Sequence, residues 1–375
     1  MICCLNKLNH LNNQKKFRNL KSNKLSQFTK SIFEIHKDKN KQDFYKENAE
    51  KISWSKDLYA WICSDPEKIK SILHDKDFIV TSYEVDSFND KLGLDFKNTK
   101  VVIGYFPLAN EGEAHLKLKK QVMAQVAKNF DLCLNIFSSQ LEERIDTIFT
   151  LHETLDLMQD ILVPTVNNSL LALFDIKLSS SYKKDMGFSQ ILDKFVSIKR
   201  RIEIENNLTE FLASIEGSSS LDQKHYNVAQ FIIGYDGFLS SLSNAIYFTL
   251  NNNQERKLSE ILWQESMPVT GIPYLVRIAS KDKLFDGEKI VKGQVMRLYL
   301  DSAAFHNSDA PHFSELFFGY GMHKCVGTQI SKRMWEIFIK KIITIDKKFI
   351  IKSADYRKDD YVFLKYQNII LETYG

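Results

Sequence analysis

The sequence is poor in the two residues that most often interrupt helices. Its 375 residues include only 6 prolines and 14 glycines. Proline removes a backbone donor and clashes with the preceding helical turn, so its scarcity lets long helices run with few interruptions. We therefore expect a mostly helical protein.

Cysteines and long apolar runs are also scarce. The five cysteines are odd in number, scattered and without the spacing of a zinc finger: Cys3, Cys4, Cys63, Cys133 and Cys325. This pattern favours a reducing compartment over a disulfide framework, and we expect a cytoplasmic protein. No run of 18 or more apolar residues is present, so the sequence offers no segment of the length that a spanning helix needs.

A strong overall charge is the third missing feature. The 51 basic and 47 acidic residues leave a net charge of +4, which argues against nucleic acid as the partner. Only the first 33 residues carry charge of one sign, because they contain lysines and an arginine but no Asp or Glu. We interpret 1–33 as a loosely ordered basic arm, with an organelle transit peptide as the alternative, and 34–375 as a single domain.

What the sequence does contain is material for a large core. Hydrophobic residues make up 44% of the chain and include 26 phenylalanines. Apolar periodicity predicts helices over 113–129, 131–150, 153–174, 188–215, 224–250 and after Gly327, with 224–250 the most apolar. Short strands are predicted at 58–63, within 268–300 and in the tail at 349–373, and a capped helix start at 64–67.

Cys325 lies directly before a predicted helix, in the sequence FGYGMHKCVG from Phe318 to Gly327. Three glycines let this backbone turn tightly and approach a flat ligand. The amide groups and the positive dipole end of the following helix favour a thiolate over a thiol. Such a loop can hold an anionic sulfur ligand.

The spacing Phe-x-x-Gly-x-His-x-Cys-x-Gly resembles the haem-binding loop of cytochromes P450. The resemblance implies an atypical, short, bacterial-type member: a mainly α, single-domain helical bundle around a buried haem b, with small β-sheets. It implies that Cys325 is the axial ligand of the haem iron, that Phe318 shields the sulfur and that His323 reaches a haem propionate. Gly321 and Gly327 fill the glycine positions of the loop, and thiolate ligation favours cleavage of dioxygen.

Weaker matches follow in the family's order. His115 and Lys119 resemble the pair that contacts the propionates, and one helical turn separates them. The segment Pro273–Arg277 resembles the strand that carries a propionate-binding arginine, which makes Arg277 a further candidate.

The sequence departs from the family at the central helix and before the cysteine loop. Gly234 and the acid Asp236 resemble the helix that crosses the haem, but Gly237 or Phe238 replaces the threonine that helps to deliver protons. Ser240, one turn after Asp236, is the candidate hydroxyl.

The family's Glu-x-x-Arg motif is also missing, because Glu260–Gln264 contains no arginine, and the segment before the cysteine loop is almost deleted. Loss of one member of a buried ion network would leave the other charges buried without a partner. We therefore interpret the loss of the motif and the shortening of this segment as coordinated.

The implied function is oxidation of a small, largely apolar or carrier-bound molecule by a monomeric haem-thiolate monooxygenase. Without the threonine, peroxide-driven oxidation or a rearrangement stays open. An acidic ferredoxin or flavodoxin is the expected electron donor. It would dock on a basic face formed by Lys324, Lys332, Arg333, Lys340 and Lys341. The simpler interpretation of these residues is an ordinary solvated helix surface.

Three alternatives remain. Cys325 could be an ordinary buried cysteine, or it could join His306, His312 and His323 in a zinc site. The chain could also be a non-catalytic descendant that binds a partner or senses a ligand.

Overall fold

The computed structural model describes residues 51–56, 58–80, 94–179, 188–192, 196–217, 219–304, 313–357 and 362–375. The predicted basic arm lies outside these residues. Seven α-helices are found in the described part: α1 Pro66–His74, α2 Lys97–Gly104, α3 Gly112–Leu151, α4 Val163–Leu173, α5 Ile198–Ser214, α6 Leu221–Asn251 and α7 Thr328–Ile342.

The predicted helix starting at 64–67 is confirmed with its cap. The Asp65 carboxylate accepts the Lys68 N–H at 2.8 Å, and Pro66 occupies the first turn, where no backbone donor is needed. The central helix α6 is confirmed over 224–250; it begins three residues earlier and ends one residue later, with Ser220 as its cap.

Four predicted helical ranges have wrong boundaries. The helices expected at 113–129 and 131–150 are one helix, α3, because no proline or glycine interrupts them. The helix expected at 153–174 begins instead as strand β4 Thr154–Asp156, which pairs with the tail, and a π-helical turn, Leu157–Leu162, precedes α4. Within the region predicted at 188–215, the structure shows a short 3₁₀ turn, Phe188–Leu192, and α5.

The strands form three small sheets among the described residues. The largest has the order β1-β2-β8-β5-β3, from Ser53–Ser55, Ala60–Cys63, Val295–Tyr299, Tyr274–Ala279 and Phe78–Ile79. The tail strands β9 Lys348–Tyr356 and β10 Tyr366–Tyr374 pair with each other and with β4. A two-stranded hairpin joins β6 Lys283–Phe285 to β7 Glu288–Ile290.

Two main groups of buried side chains hold the described residues together. One gathers apolar faces of α3, α4, α5, α6 and α7, and the other lies between the large sheet and α1. Ile272, just before β5, packs against both. The segment that carries it therefore joins the helical part to the sheet part.

None of the helices in the described part of the chain combines the length and apolarity that crossing a membrane requires. The sequence-based prediction of a mainly α fold with small β-sheets is confirmed by the structure.

Candidate functional site

The Cys325 loop is closed by its own backbone. The Cys325 N–H donates to the Phe318 carbonyl at 2.8 Å, and the Gly327 N–H donates to Cys325 Sγ at 3.3 Å. Gly327 is the residue before α7, so the sulfur lies at the positive end of a helix. The helix end and this hydrogen bond act in favour of a thiolate, whereas burial acts against it and raises the pKa of the thiol.

Cys325 is an exposed residue with protein close around its sulfur. Burial raises the pKa of its thiol, with the Gly327 hydrogen bond and the charge of Lys119 acting in the opposite direction. A cation bound beside the sulfur would favour the thiolate.

The glycines of the loop serve its packing on α1. Gly321 has φ +69°, and a Cβ at this position would lie 2.7 Å from the Leu73 carbonyl oxygen. Gly319 also has a positive φ, and a Cβ there would lie 3.7 Å from Leu275 Cδ1. Phe318 packs against the group of buried residues beside α1. The tight turn is confirmed, and at Gly321 the close neighbour is a protein backbone.

Two predicted propionate ligands converge on one oxygen atom beside this loop. His115, buried near the start of α3, has Nδ1 2.9 Å from the Pro107 carbonyl oxygen and Nε2 3.1 Å from that of Met322. The Lys119 ammonium donates to the same Met322 oxygen. Converging donors of this kind suit an anionic acceptor such as a carboxylate.

His323 and Arg277 belong to the same cluster. The rings of His115 and His323 have centroids 4.0 Å apart, and the Glu111 carboxylate lies 3.4 Å from His323 Nε2. Burial, followed by the charges of His115 and Arg277, lowers the pKa of His323 to about 4, against the opposing effect of Glu111. His323 Nδ1 is buried and has no hydrogen-bond partner among the described residues.

Arg277 lies on β5 and is only 5% exposed, with Nη1 donating to the Val276 carbonyl at 2.9 Å. The structure thus brings together the predicted residues of three distant segments: the start of α3, strand β5 and the cysteine loop. Within this cluster, Glu111 is the carboxylate next to His323.

These residues fit a haem. The exposed Cys325 supplies a sulfur ligand, and the basic cluster supplies donors for carboxylates. The unpartnered Nδ1 of His323 and the shared Met322 oxygen mark where those carboxylates would be held.

The three central-helix candidates are engaged elsewhere in the described part of the chain. The Asp236 carboxylate pairs with the buried Lys365 ammonium and accepts the Ser189 N–H at 3.2 Å. A Cβ at Gly234 would lie 3.2 Å from Phe174, so this glycine lets α4 approach. Ser240 is fully buried and donates to the Gly237 carbonyl at 3.0 Å. Their proposed roles in proton delivery stay predictions.

The place of the missing Glu-x-x-Arg motif is apolar. Glu260 is exposed at the end of a single 3₁₀ turn, Leu258–Glu260. Trp263, three residues later, is buried with its ring 5.7 Å from Trp335 and 5.6 Å from Phe338 of α7. An aromatic cluster therefore lies at the place where the resemblance implied an ion network. The interpretation of the losses as coordinated stays a prediction.

The predicted docking face is less basic than its lysines suggest. Lys324 and Lys332 lie 3.9 and 3.8 Å from Glu315. Arg333 lies 2.7 Å from Glu336, and Lys341 pairs with Glu142.

The zinc alternative gains no support from the described residues, in which no group of three His, Cys, Asp or Glu could hold a metal ion. His306 and His312 lie outside those residues.

Sequence reasoning missed Glu111 and Lys365. Neither belongs to a motif, and Lys365 meets Asp236 across 129 positions of chain. Glu111 had a weak signal, since it lies one helical turn before His115.

The chain was compared with known proteins in three ways. No family model matches it, and no curated protein matches it. Solved structures do match over nearly the whole chain. P450BioI, crystallised with an acyl carrier protein ligated to hexadec-9Z-enoic acid, has 16% identity and a TM-score of 0.68, covering 90% of this chain and 98% of its own.

CalO2 has 13% identity and a TM-score of 0.73, covering 91% and 97% of the two chains. A thermophilic cytochrome P450 from Sulfolobus tokodaii has 18% identity and a TM-score of 0.59, covering 88% and 99%. The chain therefore has the cytochrome P450 fold.

Proposed function

We propose that this chain is a haem-thiolate oxidoreductase of the cytochrome P450 family that oxidises a small, largely apolar molecule, with Cys325 as the iron ligand. The observation that carries the proposal is the position of the basic cluster. His115, Lys119, His323 and Arg277 converge next to an accessible cysteine at a helix N-terminus. The fold of the solved neighbours supports the same cofactor.

Each residue has a defined task in this proposal. A thiolate-bound haem supplies the oxygen-activating chemistry. The Gly327 N–H holds the sulfur in place and partly neutralises it. His115, Lys119, His323 and Arg277 would hold the haem carboxylates.

The substrate class is supported only in outline. The apolar residues of α6 and the segments on either side of it favour an apolar substrate. The carrier protein bound to P450BioI supports a carrier-bound acyl chain as one candidate. Because Gly237 replaces the family's threonine, use of peroxide as the oxidant stays an alternative.

The test is the absorption spectrum of the purified protein, reduced with dithionite and exposed to carbon monoxide. We expect a strongly red-shifted Soret band, which Cys325→Ser abolishes. Cys133→Ser is the matched control. Cys133 lies on α3 and is fully buried, so its replacement should leave the band unchanged.

A protein that takes up no haem when haem is abundant would overturn the proposal. The non-catalytic, partner-binding alternative would then be favoured. A red-shifted band that persists in Cys325→Ser would assign the ligand to another residue.

A further inference from the structure

Glu111 is an acidic residue held inside the basic cluster. It is the last residue before α3, yet its side chain makes no capping hydrogen bond with that helix. Its carboxylate instead accepts the Val80 N–H at 2.6 Å and lies 3.4 Å from His323 Nε2. Both partners are distant in sequence, so the fold fixes Glu111 next to the cysteine loop.

The charge of Glu111 has no strong cation paired with it. In the described part of the chain, no lysine or arginine forms an ion pair with Glu111, whose partner of this kind is His323. The charges of Glu111 and Arg277 act on the pKa of His323 in opposite directions, so both groups lie near the same ring. Lys119 contributes the side-chain ammonium of the cluster.

A haem would bring two further carboxylates to this cluster. When the histidines are neutral, Lys119 and Arg277 supply one positive charge each, and these balance the two haem carboxylates. Glu111 then adds a third carboxylate and leaves one excess negative charge beside the haem. The Glu111 side chain is 35% exposed, so water weakens this charge but does not remove it.

The excess charge bears on the oxidation state of the haem iron. Reduction adds an electron to the haem, and a negative charge nearby opposes that addition. The protein around a haem therefore sets its reduction potential together with the axial ligand. A carboxylate held at the position of Glu111 favours the oxidised iron.

We propose that Glu111 lowers the reduction potential of the bound haem through its negative charge, and so keeps the iron oxidised when the electron donor is weak. The inference rests on the proposed haem function and adds to it a residue that sets the potential. Glu111 acts through its charge, and its hydrogen bond to the Val80 N–H serves to hold that charge in place.

The test is a spectroelectrochemical redox titration of the haem-loaded protein and its variants. We expect Glu111→Gln to shift the reduction potential to a more positive value. Glutamine has the same shape as glutamate and can still accept the Val80 N–H, so this variant removes mainly the charge. Glu111→Asp keeps the charge on a shorter side chain and should stay much closer to the unmodified protein.

Glu113→Gln is the matched control. It removes the same charge two residues further along, from an exposed side chain in the first turn of α3, and should shift the potential far less. If Glu111→Gln does not load haem, Glu111→Asn gives the same measurement. Failure of both neutral variants to load haem would show that Glu111 holds the loop in place, and would overturn the inference.

An unchanged or more negative potential in haem-loaded Glu111→Gln would also overturn this inference and leave the haem function intact. An equal shift in Glu111→Asp would overturn it as well, because a lost contact rather than a lost charge would then explain the result. Absence of haem from the unmodified protein would overturn both.

Discussion

At the scale of single residues, the site contains basic groups whose protonated forms the fold disfavours. His323 is the clearest case, because burial and two neighbouring basic residues lower its pKa to about 4 from 6.5. The unfolded chain therefore binds a proton at a pH where the folded chain does not. For a basic group with a depressed pKa, stability is lost as the pH falls between these two values.

We expect the haem-free protein to lose stability between about pH 6.5 and about pH 4, partly through His323. Each unit of pKa difference corresponds to about 1.4 kcal/mol. Unfolding by urea at a series of pH values measures this, and His323→Asn should flatten the dependence. His152→Asn, at an exposed position after α3, is the control; an equal flattening there would contradict the assignment.

At the same scale, the sequence predicted contacts between residues that are close together in the chain. The cysteine motif predicted Cys325, His323 and the turn before α7, because these contacts are local in sequence. The burial of Ser240 could not be predicted, since one residue rotates a helix position by about 100° and packing against Gly271 decides which face is covered.

At the scale of elements, the tail is fixed to the central helix by a buried ion pair. The side chains of Lys365 and Asp236 are 7% and 2% exposed, and Asp236 also accepts the Ser189 N–H of the 3₁₀ turn. Asn244 of α6 donates to the Leu364 carbonyl next to this pair. Three elements thus meet at one carboxylate.

Breaking this pair should be costly, because the remaining charge would be buried without a partner. We expect Lys365→Met to lower the free energy of unfolding by about 3–5 kcal/mol, as for other buried pairs. Urea denaturation measures the loss. Lys352→Met, in the exposed pair with Glu372 on the neighbouring strands, is the control and should cost about 1 kcal/mol or less.

The double variant Asp236→Asn with Lys365→Met separates charge from packing. It should recover much of the stability, since no buried charge is left unpaired. A double variant as unstable as the two single losses added together would show that the pair acts through packing alone.

Among the helices and strands, the sequence predicted features that depend on nearby residues but not those that depend on distant ones. The cap at Asp65 and the length of α6 followed from local residues. The strand β4 did not, because its partner is β10 and strand pairing depends on residues more than 200 positions away. Lys365 was hidden for a similar reason, since it meets Asp236 across 129 positions of chain. The small number of prolines and glycines correctly indicated long helices, although α3 was expected as two.

At the scale of the whole molecule, the net charge is only +4 on 375 residues. Any electrostatic steering of a charged partner must therefore come from charged faces of the surface. The face around α7 carries five basic residues, four of which lie near carboxylates of the same chain. Nearby carboxylates weaken the field of such a face but do not cancel it. An acidic electron donor would therefore be attracted modestly, and more at low salt.

The docking hypothesis predicts that reduction of the haem-loaded protein by an acidic ferredoxin slows as salt rises. Lys332→Glu should slow it by on the order of tenfold at low salt, because steering by like charge becomes repulsion. Lys289→Glu is the matched control, since Lys289 lies 3.9 Å from a carboxylate, as Lys332 lies 3.8 Å from one, but belongs to the β6–β7 hairpin. Stopped-flow reduction rates decide the matter. An equal loss in both variants, or no dependence on salt, would show that α7 presents an ordinary solvated surface rather than a docking face.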